Sequence, residues 1–504
     1  MASQPTWARP RQVTLIILAY LLLHLGVRLW MGPTLGLDDA EQALFAQQWL
    51  PNYRLRAPPL FTWALVASGA LTETNVLLLS LLRYLLLGMI AGFTYLTARC
   101  LIRDPALAAL ATFSFAAIYV FGYYSHHDLT HTTVLSAFVA ASWYAFVRLC
   151  ERPTLPRYLV LGGCFGFGLL GKWNFFMFAL ALPLACLTQP RQRGLILNWR
   201  VLPAALVSAA IALPSALWAM HVGPAVGDGL GTLLGPPVGG FLRGLLLGSA
   251  DLALAVLVYP MPFLAIFLTS LGNAAWRGWQ AEVEPGPREP IVGVGLVGMT
   301  IAIGIFLHWL LVPLAGATKF SERLLQPALQ ILPVYLFMLV ERGAASARAI
   351  RLYLIALSGV VAIALIARLL IPVACLGACR TLVPFQEIAE RLRAAGFAGN
   401  GTIVVSDFHI GGNLRVQFPQ ARVVEIGYPP RVWPAPRGRG QCLVLWAAKG
   451  NALSALEPYL RQHLGVASDA RRQEGELAVP MQGARARPYR LFYRLYEESQ
   501  GACR

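Results

Sequence analysis

Charge is scarce in this sequence. Of 504 residues only 13% are Asp, Glu, Lys or Arg, and 57% are hydrophobic, with a mean hydropathy of +0.59. An ordinary soluble chain carries roughly 25% charged residues, so the shortage excludes a single water-soluble globule. Lysine is scarcer still, with three residues against 38 arginines. The eight cysteines show no zinc-ligand spacing. Cys375 and Cys379 stand one helical turn apart and read as packed thiols, and no bridge is expected there or between Cys442 and Cys503. The first apolar run is not followed by a small-residue cleavage site, so it reads as a retained helix and not a removed signal peptide. A working phosphate loop is missing too. The stretch 166-GFGLLGKW-173 has the glycines and Lys172, but Trp173 stands where a magnesium-holding Ser or Thr is needed. Those glycines read better as close helix packing.

What is abundant is apolar runs about 17 to 25 residues long, the length that crosses a hydrocarbon core of about 30 Å. The net charge of +17 is not one basic stripe, because the arginines flank these runs, so membrane topology accounts for it and nucleic acid is not an expected partner. With Arg9 and Arg11 inside, Thr14 to Trp30 exits, Val76 to Ala98 returns, and Ala106 to Tyr124 exits again. Later runs alternate in the same way. Tyr158 to Leu170 and Trp173 to Leu187 form a short hairpin, His221 to Gly248 a Gly-rich outer loop, Leu252 to Leu271 a span, and Leu324 to Val340 another. About eleven spans result, with a cytoplasmic N-terminus and an extracytoplasmic C-terminus. Residues 1–376 are the expected transmembrane domain. Residues 377–504 read as a small α/β domain, with a helix near 384–397 and strands near 402–407, 420–426, 441–448 and 487–498.

The unusual polar clusters fall on the outer face. The first is 35-LGLDDAEQALFAQQW-49, with Asp38, Asp39 and Glu41 just beyond the first span. Acids at a membrane boundary suggest function, although acids in a helix's first turn also suit its dipole. The second, 123-YYSHHDLTHTT-133, sets Asp128 among His126, His127 and His131. Helix capping, an active-site wall and a metal site all remain open there. The third is 318-TKFSERLLQP-327, where Lys319 and Arg323 are four apart and share one face if the segment is helical. A point charge beside a bidentate fork suits a phosphate, whereas Glu322 offers either cation a simple ion pair.

With these residues in view, the chain resembles the family 39 glycosyltransferases of the GT-C class, which include protein O-mannosyltransferases and the lipid A aminoarabinose transferase. The likeness rests on 37-LDDAEQALFAQQW-49, on 58-PPLFTW-63 and on 319-KFSERLLQP-327, and it covers the membrane portion. It implies transfer of a sugar from a polyprenyl-phosphate donor to an acceptor at the outer face of a bacterial inner membrane. The acceptor is lipopolysaccharide or lipid A, another glycolipid, a glycan or a protein hydroxyl. In that reading Asp38 is the general base, Asp39 its paired acid and Asp128 a further site acid. Lys319, Arg323, Arg56 and Lys172 bind the donor phosphate. Relatives often place His or Lys before the two prolines, where this chain has Ala57 after Arg56. A divalent metal is therefore possible but not required. One base predicts inversion at the anomeric carbon. The alternative is a transporter or flippase of lipid-linked sugars, which would use intramembrane acids as ion or proton sites.

Overall fold

Apolar length, proline and small polar caps decide where the helices begin and end. The computed structural model of the chain describes residues 5–54, 58–69, 71–222, 239–281, 292–374, 379–436, 440–447, 452–466, 472–481, 488–497 and 503. Among them, seven helices are long and apolar enough to cross a membrane: Pro10–Trp30, Val76–Leu101, Thr130–Glu151, Val201–His221, Phe241–Val258, Val294–Ala315 and Ala347–Val373. Shorter apolar helices at Pro105–Ala117, Leu155–Gly171 and Phe175–Thr188 join the bundle, a set compatible with the expected eleven spans. The side chains of Asn75, Asp104 and Ser346 accept backbone N–H groups at three helix starts, satisfying donors that have no partner within the helix.

Proline rearranges two expected spans. Leu252 to Leu271 is not one helix. Helices Phe241–Val258 and Phe263–Gln280 lie on either side of 259-YPMP-262, where Pro260 and Pro262 lack the N–H groups that would continue the ladder. The first of these helices starts inside the expected outer loop, whose residues 223–238 lie outside the described residues. Leu324 to Val340 is likewise divided. It becomes a 3-10 turn at Glu322–Leu324, a single turn at Gln326–Leu329 and the helix Leu332–Arg342.

The glycines rejected as a phosphate loop do pack helices. A Cβ on Gly171 would lie 2.9 Å from the backbone nitrogen of Leu135, and one on Gly166 2.8 Å from the Cβ of Ile211.

After the last long helix comes a five-stranded sheet in the order β2-β1-β3-β5-β4. The strands are β1 Thr402–Val405, β2 Arg422–Glu425, β3 Cys442–Ala447, β4 Arg472–Pro480 and β5 Pro488–Tyr496. The first three pair in parallel, and β5 runs antiparallel to both β3 and β4. Every β1 residue is buried, as a central strand's continuous apolar run requires. β4 and the helices Phe408–Gln417 and Ala452–Leu464 are additions to the expected elements.

The cysteine expectation is corrected here. Cys442 on β3 is bridged to Cys503 with Cα atoms 5.7 Å apart, across a sequence separation of 61. Cys379 is disulfide-bonded too, while Cys100, Cys150, Cys164 and Cys186 are free thiols. Folding, not spacing, brings the first pair within bridging distance.

The sheet's core does not end at its own chain segment. Leu44, Phe45 and Tyr53 of the first loop are buried in it. The acidic loop is therefore a wedge held between bundle and sheet domain.

Candidate active site

Residues Leu37–Phe45 form a nine-residue helix with Gly36 at its N-cap. Its polar side chains point in three directions. Asp39 forms a buried ion pair and hydrogen bond with Arg83 of helix Val76–Leu101, each residue 1% exposed. Gln42 faces the same side, accepting from Thr62 Oγ1 at 2.5 Å and lying 3.0 Å from His131 Nε2. Thr62 belongs to the 58-PPLFTW-63 stretch, which is thereby tied to the acidic helix. Glu41 turns instead to the sheet domain, 2.7 Å from Arg54 and accepting from Tyr428 Oη at 2.6 Å. It is 3% exposed, so it does not simply face water.

Asp38 takes neither course. Its Oδ2 accepts the backbone N–H of Thr130 at 3.0 Å, at the start of helix Thr130–Glu151. Its own N–H donates to Asp128 Oδ1 at 2.9 Å. Leu129 between them sits in the left-handed region at φ 69°, a conformation costly for a non-glycine residue. That turn aims the Thr130 amide across the loop. The capping seen in 128-DLTHT-132 thus exists, but its acid comes from 92 residues upstream, where the helix dipole favours a carboxylate.

Asp38 and Asp128 share one site, and burial pushes the Asp128 carboxyl up to about 8, with the charge of Asp38 adding to the effect. Near neutral pH Asp128 then stays largely protonated. His127 is held neutral, lowered to about 3 by burial and then by Arg368. His126 and His131 are buried and bonded to other side chains. Among the described residues, no group of three or more His, Cys, Asp or Glu has the arrangement of a metal site.

Two of the expected cations lie close to this pair. Lys172, in the turn after helix Leu155–Gly171, donates to Thr132 Oγ1 at 3.2 Å. Burial and the neighbouring Arg323 cation lower it to about 8, opposed by Asp38 and Glu322. Arg323 lies 5.4 Å over the ring of Tyr124 and 3.7 Å from Glu322.

The expected helical face shared by Lys319 and Arg323 is not formed. Lys319 sits in a non-helical stretch, exposed and without an ion-pair partner among the described residues, and Arg323 follows in a 3-10 turn capped by Ser321. Asp251, His308 and Asn174 pin this segment through the Phe320 amide and the Leu324 carbonyl, and these bonds replace helical ones. Arg56 and the adjoining Ala57 lie outside the described residues.

Sequence reasoning missed Arg83, Gln42, Thr62 and Tyr428. A signal existed for Arg83, because an arginine in the middle of an apolar run is itself a pointer to a buried partner. Nothing local marked Tyr428.

The family described as dolichyl-phosphate-mannose-protein mannosyltransferase matches residues 56–218. The chain is 29% identical over 484 residues to the lipopolysaccharide core galacturonosyltransferase RgtA of Rhizobium johnstonii, covering 92% of this chain and 93% of that one. It is 29% identical over 474 residues to RgtB of the same organism, at 90% and 91% coverage. In fold it is similar to ArnT from Cupriavidus metallidurans. The apo crystal structure matches with TM-score 0.55 and 13% identity, covering 96% of this chain and 98% of that one. The undecaprenyl phosphate complex matches with TM-score 0.54 and 15% identity, at 95% and 97% coverage. The transporter alternative finds no support among these likenesses. The chain is a polytopic membrane glycosyltransferase with the GT-C fold.

Proposed function

We propose that the protein transfers a sugar from a polyprenyl-phosphate donor to a lipopolysaccharide core or related glycolipid hydroxyl, at the outer face of a bacterial inner membrane. The observation that carries this reading is the half-buried Asp38, bonded to the Thr130 amide, beside a neutral Asp128 and within the field of Lys172 and Arg323. Asp38 accepts the acceptor hydroxyl's proton as its oxygen bonds to the anomeric carbon. The bond from that carbon to the phosphate oxygen breaks, and its electron pair leaves with polyprenyl phosphate. General-base help of this kind is worth roughly 10²- to 10⁴-fold. Lys172 and Arg323 stabilise the departing phosphate, Lys319 extends the positive approach to it, and attack from one face inverts the anomeric centre.

Asp39 serves this chemistry indirectly, by fixing the helix that carries Asp38. Residues 1–376 carry transfer, and 377–504 support the acidic helix and face the acceptor side. The relatives' names support a core glycolipid acceptor and, for the sugar, galacturonic acid. The Cys442–Cys503 bridge supports an oxidising, extracytoplasmic location for the sheet domain. Purified wild-type protein should transfer sugar from a polyprenyl-phosphate donor. Asp38→Asn should lose about 10²- to 10⁴-fold in kcat while keeping its melting temperature. Undiminished transfer in that variant would remove Asp38 as the base.

A further inference from the structure

A cavity of about 300 Å³ opens beside the carboxylate pair, and its walls include Leu37, Tyr123, Tyr124, Asp128, Arg368 and Arg380. That volume stands at the small end of ligand pockets, suited to one sugar ring and too small for a glycolipid core. Tyr123 and Tyr124 offer aromatic faces of the kind that pack against the apolar side of a ring. Tyr124 also carries Arg323 over its ring, which links the cavity to the cations assigned to the donor phosphate.

The cavity has further cations that this assignment does not use. Arg368 is 1% exposed. It lies 2.5 Å from His24 Nδ1 and donates to the His126 carbonyl at 3.0 Å, while its Nε has no partner among the described residues. The groups it meets are neutral, so its buried charge is uncompensated by any contact. Arg380 is exposed, has no ion-pair partner among the described residues, and directly follows the disulfide-bonded Cys379. Asp128, the acid in the wall, is largely protonated near neutral pH, so it does not repel an incoming anion.

We propose that this cavity is the donor-sugar subsite and that Arg380, together with Arg368, is what reads the carboxylate of the uronic acid proposed above. A guanidinium matches a carboxylate in shape and charge. A neutral sugar would leave the buried Arg368 guanidinium without a counter-charge and give Arg380, at the cavity's exposed wall, nothing to bind. The inference rests on the donor reading above, and it deepens that reading by naming the group that recognises the sugar.

The test uses purified full-length protein in nanodiscs with one truncated lipopolysaccharide core acceptor and two donors, polyprenyl-phosphate galacturonic acid and polyprenyl-phosphate galactose. Wild type should favour the acidic donor in kcat/KM. Arg380→Gln should lower the acidic-to-neutral preference by about 10- to 100-fold, the worth of a hydrogen bond to a charged group, and Arg380→Lys should restore part of it. A wild-type preference for galactose, or an unchanged ratio in Arg380→Gln, overturns the inference while leaving the transferase reading intact. An equal loss on both donors also overturns it, by assigning Arg380 to an anionic group on the acceptor. Failure of wild type to use either donor overturns the donor reading itself.

Discussion

The bundle and the sheet domain grip the same nine-residue helix by different physical means. On the bundle side the grip is electrostatic and buried, with Asp39 paired to Arg83 and Gln42 joined to Thr62 and His131. On the sheet side it is backbone packing and mixed hydrogen bonds. A Cβ on Gly412 would lie 1.9 Å from the Ala40 carbonyl. Asn413 accepts the Leu35 amide at 2.8 Å, and Tyr428 with Arg54 meets Glu41. A charge pair in apolar surroundings behaves nearly all-or-none, because removing one partner strands the other. Packing, and an ion pair whose Arg54 side is partly exposed and backed by the Tyr428 hydroxyl, yield by degrees. Asp38, held only by the Thr130 amide and Asp128, has no cationic partner of its own among the described residues.

This contrast can be broken experimentally, beginning on the bundle side. Arg83→Met should destabilise the protein by about 3–5 kcal/mol, since it leaves the Asp39 carboxylate buried and unpaired, and a melting curve in detergent measures it. Adding Asp39→Leu should recover much of that loss, and a double variant no more stable than the single one would show that the pair is not the anchor. Gly412→Val should cost about 1–3 kcal/mol as the two backbones are forced apart, lowering kcat by displacing Asp38 more than it lowers the melting temperature of the bundle. Tyr428→Phe should cost about 1.5 kcal/mol, the lower end for a hydrogen bond to a charged group, because Arg54 still pairs with Glu41.

The last prediction concerns pH. Asp128 is raised to about 8 in the folded protein, so from about pH 4 to about pH 8 the folded state holds a proton that the unfolded state has lost. Stability therefore falls as pH rises through that window. Glu425, raised to about 8 mainly by burial, adds a slope of the same sign. Asp128→Asn should flatten part of this dependence, with the Glu425 share remaining. Its amide oxygen can still accept the Asp38 N–H, so activity at pH 7 should fall far less than in Asp38→Asn, and the alkaline decline of kcat above pH 8 should shrink to the share of Lys172, itself lowered to about 8. Thermal melts and a pH–rate profile check both.

The helical bundle was legible because twenty apolar residues in a row have few other fates. The acidic helix and the strands at 402, 422, 442 and 488 were legible from periodicity. The break at 259-YPMP-262 was written in two prolines and overridden by the apolar run around them. The assumed helical face of Lys319 and Arg323 failed for a different reason: Asp251, His308 and Asn174 satisfy that segment's backbone from other helices, and local spacing carries no trace of such partners.

Sequence alone determined that the chain enters the membrane many times, that a small α/β unit follows, and that its acids gather where spans end. Hydrophobicity and period are properties of neighbours along the chain. Tertiary structure decided which of three nearby acids is available. Asp39 is paired with Arg83, Glu41 with Arg54 and Tyr428, and Asp38 meets Thr130 and Asp128. Each of those partners lies between 13 and 387 residues away. A carboxylate's role depends on the charge and solvent it meets in space, and that environment forms only when distant segments pack.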